Sequence, residues 1–187
     1  MHCVLIPALM FCLGLGAAVP GQNEDPALNK ALNDRIAEYL TSRKKAVQGI
    51  PALKAKSTPE QIQARRLAIV PAIRKERANA RQGEVLTKEI EERIRQIIRS
   101  EMRGKEGVPA KATAKQGNPA TDGPVTFPVK VNGSYPDSAP LSSVPSTLLL
   151  RLPQLPKELD FRFVGRRLIL RDVEASLIVD YILNATP

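Results

Sequence analysis

The segment Leu159–Arg171 (LDFRFVGRRLILR) constrains the fold of this chain more than any other. Gly165-Arg166 suits a two-residue hairpin loop with glycine at the first central position, where the backbone needs a positive φ. That turn sets a register. Val164 faces Arg167, Phe163 faces Leu168, Arg162 faces Ile169, Phe161 faces Leu170 and Asp160 faces Arg171. Phe161, Phe163, Leu168 and Leu170 then share one face, and Asp160 can pair with Arg171 on the other. Turn chemistry and side-chain alternation point to the same arrangement, so an antiparallel hairpin is expected here.

The hairpin belongs to a region over 125–184 whose apolar residues repeat with a different period from those before it. Val125, Phe127, Val129 and Val131 alternate with polar residues and Pro128, which predicts a half-buried edge strand ended by Asn132-Gly133-Ser134. Val144-Pro145-Ser146 opens a short apolar helix through Leu148 to Leu152, stopped by Pro153. Asp172 reads as the cap of a last helix reaching Leu183, with Leu177, Ile178, Tyr181 and Ile182 inward and Asp180 in solvent. The expectation is a small β-α-β-β-α module.

Residues 25–104 repeat at helical spacing instead. Asp25-Pro26 is a helix start, because Asp caps free amides and proline fits the first turn. Leu28, Leu32, Ile36 and Leu40, with Tyr39 beside them, form one stripe that fades near Gln48-Gly49. Thr58-Pro59-Glu60-Gln61 has capping-box spacing and opens a second helix, with Ile62, Ile69, Val70 and Ile73 on one side. Pro71 should kink or end it; Gly83 is the expected stop. A third helix is expected between residues 85 and 103, its stripe running from Val85/Leu86 through Ile90, Ile94, Ile97 and Ile98. Glu89→Arg93 and Glu91→Arg95 have favourable i,i+4 order, and Gly104 closes it. The fold class is therefore α+β: about three amphipathic helices in a basic region, then a small α+β domain. Between them, 105–124 lacks periodicity and large apolar residues and is expected to be a disordered linker.

Charge divides along the same line. The net charge of +9 is uneven: residues 26–105 hold 19 Lys/Arg against 9 Asp/Glu, and residues 106–187 hold 9 against 8. Arg43, Lys44, Lys45, Arg65, Arg66, Arg95, Arg99 and Arg103 are the candidate contacts for an anion or a partner. No aromatic residue lies between Tyr39 and Phe127, so base stacking is denied to this region, and nucleic acid is not the expected partner.

The chain's one histidine and both cysteines, His2, Cys3 and Cys12, lie within its first twelve residues. The run Val4–Ala18 is almost wholly apolar, shorter than a membrane span, and ends in small residues, which reads as a signal peptide over 1–18. It lacks the usual basic leader. Cleavage would leave a chain without the residue types of a Ser-His-Asp triad, a thiol nucleophile or an ordinary zinc site. No phosphate-binding glycine loop is present. Glu89, Glu91 and Glu92 read as salt-paired helix surface rather than a catalytic carboxylate pair. No catalytic, metal-binding or cofactor-binding residue is assigned.

The residues Val144-Pro145, Leu155-Pro156, Phe163-Val164-Gly165-Arg166, Leu168 to Val173 and Leu177-Ile178-Val179-Asp180 are similar to the C-terminal region of uncharacterised exported bacterial proteins. The likeness spans about a quarter of the chain. It implies bacterial export and transfers no site or activity. The sequence is thus read as an exported, periplasmic or secreted protein, non-enzymatic, that binds an envelope protein or anionic surface and is not an integral membrane protein once processed. The alternatives are a hydrolase using Asp/Glu or Ser/Lys, and an intracellular nucleic-acid binder should the leader not be a signal. Oligomeric state is left open.

Overall fold

The computed structural model describes residues 25–120 and 125–186. The signal-peptide reading, with His2, Cys3 and Cys12, lies outside the described residues. The described chain is a mixed α+β structure with a three-stranded antiparallel sheet in the order β1-β2-β3. Five helices precede the strands: α1 (Pro26–Ala46), α2 (Pro59–Glu76), α3 (Lys88–Glu101), α4 (Val108–Lys115) and α5 (Ser146–Arg151). The strands are β1 (Leu159–Val164), β2 (Arg167–Asp172) and β3 (Leu177–Ile182).

Local chemistry sets the helix starts. The Asp25 carboxylate accepts from the Leu28 amide at 2.9 Å, with Pro26 in the first turn. Thr58 and Gln61 form a complete capping box, and Thr87 caps α3. Pro71 does not end α2, which continues to Glu76. The third helix begins at Lys88, so Val85 and Leu86 are buried loop residues ahead of it.

The hairpin forms in the expected register, from Val164↔Arg167 to Asp160↔Arg171. Gly165 has φ 61°, the left-handed conformation its turn requires. Phe161, Phe163, Leu168 and Leu170 enter the main core, which α1, α3, α4 and α5 cover. Val164, Ile169 and Ile178 face the other way and pack with Phe127 and Tyr135. Both faces of the sheet are therefore buried.

Three expectations are corrected. The last element is strand β3, not a helix. Leu177-Ile178-Val179 is a continuous, largely β-branched run, which periodicity alone cannot distinguish from a buried helix but β-branching favours as strand. Asp172 does act as a cap, but of a turn: it accepts from the Ala175 amide at 2.8 Å. Second, 125–131 forms no strand. Pro128 can donate no ladder bond, and only the following residues pair: Asn132 N–H donates to Ile178 O, Ile178 N–H to Gly133 O, and Tyr135 N–H to Ser176 O, each at 2.8 Å. The alternation still operates, since Val125, Phe127 and Val129 all cover the sheet's second face. Third, the linker segment 105–124 contains α4, whose Ala110 and Ala114 are buried in the main core. Small side chains let a helix approach closely where the pattern seemed to offer nothing to bury. The helical region and the strand region consequently share one core.

Candidate functional site

Arg43 of α1 and Arg65 of α2 are largely buried, whereas Arg35 is exposed and pairs with Glu38 on its own helix. Tyr39 and Arg43 lie one turn apart on α1, and both reach Asp172 at the end of β2. Tyr39 Oη donates at 2.7 Å and Arg43 Nε at 2.6 Å. Arg43 Nη2 also donates to Glu174 at 2.6 Å, and Arg65 of α2 holds the other Glu174 oxygen. Burial and the Asp172 charge together push the Tyr39 hydroxyl far above its ordinary value. Burial works against ionisation of Glu174, but the two guanidiniums outweigh it and hold its carboxyl below the usual 4.5.

A second cluster follows along α2. Arg66 Nη1 grips both oxygens of Asp137 at 2.6 and 2.7 Å. Arg74 donates to the Asn132 carbonyl and the Ser134 hydroxyl. Arg77 is buried, stacks 4.9 Å over the Tyr39 ring and donates to Asn132 Oδ1 and the Val179 carbonyl. These contacts fasten the helices to the 132–137 loop and the β2–β3 turn. They are polar anchors between packed elements, and Arg66, Arg74, Ser134 and Asp137 also line a cleft of about 410 Å³.

Asp180, expected in solvent, is fully buried on the helix-covered face. Its carboxylate accepts from the amides of Gly83, Val85 and Leu86 at 2.9–3.1 Å and from its own Tyr181 amide at 2.8 Å. Burial raises its pKa while the four amides oppose that rise. The residue is the acceptor that organises the loop leading into α3. Among the described residues, no buried side-chain polar atom lacks a partner, and no group of three or more His, Cys, Asp and Glu is placed to hold a metal ion.

The eight basic residues singled out by the sequence separate into two sets. Arg43, Arg65 and Arg66 are engaged as above, and Arg95 pairs with Glu91 and donates to the Leu183 carbonyl. Lys45 pairs with Glu76 across α1 and α2 at 2.7 Å. Lys44, Arg99 and Arg103 are exposed and make no ion pair with a described residue. Of the helix carboxylates, Glu91 does pair with Arg95, whereas Arg93 turns to Asp25 instead of Glu89.

A further cleft lies apart from these clusters. It has a volume of about 510 Å³ and lies between the end of α3, the last turns of α4, and the β1–β2 turn. Met102, Ala114 and Ala120 give it an apolar floor, and Lys111, Lys115 and Arg166 stand around it. Nothing in the sequence brought these residues together, because 105–124 read as a linker and Arg166 as a turn residue.

Comparison of the chain with protein-family models, curated proteins and solved structures finds no match. Among the described residues, no helix is long and apolar enough to cross a membrane.

Proposed function

We propose that this chain is an exported bacterial protein of the cell envelope, a non-enzymatic binding protein that associates with an anionic envelope surface through its exposed helix-end cations. The observation that supports this reading is the state of Lys44, Arg99 and Arg103. The molecule neutralises many of its arginines internally, yet leaves these cations in solvent without an acidic partner. Arg99 lies in the last turn of α3 and Arg103 just past its C-cap Met102, so positive charge gathers at this helix end. The apolar run Val4–Ala18 supports export.

The test uses the full chain purified from its native host. Mass spectrometry of the mature N-terminus is expected to place cleavage near Ala18; an intact Met1 overturns the export reading. Cosedimentation with envelope fractions is expected to fall as salt rises from 50 to 500 mM, since exposed charges are screened within ~10 Å at about 0.1 M salt. Lys44→Glu, Arg99→Glu and Arg103→Glu together should abolish it. Retention that neither salt nor this triple variant changes overturns the proposal.

A further inference from the structure

We propose that the cleft between α4 and the β1–β2 turn is a binding site for a small amphipathic carboxylate, a fatty-acid-like anion with one carboxylate head and a straight apolar body. The site is distinct from the helix-end cations discussed above. Its volume of about 510 Å³ falls within the range of ligand-sized clefts, roughly 300–1,000 Å³.

Three observations converge on this chemistry. The first is unspent charge. Lys111 is exposed and has no hydrogen-bond or ion-pair partner among the described residues. Arg166 makes only two long contacts to the Thr186 carbonyl, at 3.3 and 3.4 Å. None of the described lining residues is acidic. Neither Lys111 nor Arg166 is engaged by a carboxylate of a described residue.

The second is that the walls are already satisfied and fixed. Asn118 Oδ1 accepts from the Gly165 amide at 2.7 Å, and its Nδ2 donates to the Gly165 carbonyl at 2.9 Å. That pair of bonds ties the end of α4 to the hairpin turn. The Asn118 backbone amide donates to the Lys115 carbonyl, and its side chain reaches the Ala114 carbonyl at 3.5 Å. The helix-end carbonyls, whose partial negative charge would repel an anion, are thus occupied. Asn118 serves here as a positioning residue and is not itself a contact of the ligand.

The third is the floor. Met102 and Ala114 are buried core residues at the base of the cleft, beside Ala120. A free inorganic anion would gain nothing from them, whereas an alkyl body removes its own apolar surface from water against them at ~25 cal/mol per Å². The planar Arg166 guanidinium suits a carboxylate, which it can hold through two parallel N–H donors.

The probes are decanoate below its micellar concentration, decanol as the body alone, and acetate as the head alone. They are titrated into the full chain by isothermal calorimetry and followed by amide NMR. Decanoate is expected to bind saturably, shifting amides from Met102 to Ala120 and at Gly165 and Arg166. Decanol and acetate should each bind at least tenfold more weakly. Lys111→Glu and Arg166→Glu should each weaken decanoate at least tenfold while leaving the amide spectrum otherwise unchanged, since both side chains are exposed. No saturable decanoate binding overturns the proposal, as does equal binding of decanol or shifts that map elsewhere. Export and envelope binding can fail without touching this result, and the reverse holds equally.

Discussion

Asp180 shows how much one side chain can organise. A single buried carboxylate satisfies three amides of the loop before α3 and one in its own strand. Each buried donor left without an acceptor costs about 1–3 kcal/mol. Asp180→Leu is therefore expected to lower unfolding stability by at least about 3 kcal/mol in urea titration, and Asp180→Asn, which keeps one acceptor oxygen, by less. Glu174 carries a pH signature of the opposite kind to a buried acid. Its folded pKa is depressed, so its contribution is present above its ordinary value of 4.5 and is lost as pH falls through the lower folded value. Asp180, with its raised value, contributes in the reverse sense, its stabilisation declining as pH rises through the folded value. Comparing wild type with Glu174→Gln isolates the first effect. The urea midpoints should differ most above pH 5 and converge as pH falls below 4. A difference that does not change with pH would show that the two guanidiniums do not favour the charged form of Glu174.

At the scale of elements, α4 is the piece whose surroundings decide its structure. Val108–Lys115 offers Ala110 and Ala114 to the core and little else. If it is packed as seen, limited trypsin digestion of the native protein should spare Lys111 and Lys115 while cutting exposed loop sites such as Lys54 and Lys56. Rapid cleavage at 111 or 115 would instead mark an open segment. This element also shows where the sequence is legible. Hairpin register could be read because a two-residue turn and four large apolar residues agree at residue spacing. The caps Asp25 and Thr58 are likewise local chemistry, visible in a few residues, whereas Thr87 is hidden by the apolar Val85 and Leu86 before it, which extend the helical pattern. What escaped depends on partners far along the chain. Two buried alanines carry no pattern of their own, and Asp172 looks the same before a helix and before a turn. β3 is apolar on both faces and so lost the alternation that marks a strand. Tyr39 and Arg43 share a helix face by spacing, but only the fold supplies Asp172 as their common target.

For the molecule as a whole, the charge asymmetry takes on a different meaning. The basic helices read as seekers of an external anion, yet Asp137, Asp172 and Glu174 of the C-terminal part already engage Arg43, Arg65 and Arg66. The main core draws on α1, α3, α4, α5 and all three strands. Dividing the chain between residues 104 and 125 should therefore give two fragments that each lack a cooperative thermal transition by circular dichroism and that regain one when mixed. A sharp transition in either fragment alone would show that the parts fold independently. The contacts joining α1 to the β2–β3 turn span 129 to 133 residues of sequence. A ribosome or a secretion pore delivers a chain in order, beginning with the arginines and ending with their carboxylates. Until the β2–β3 turn has emerged, Tyr39, Arg43 and Arg65 lack Asp172 and Glu174 to close upon, so these contacts form only after the intervening chain has been made.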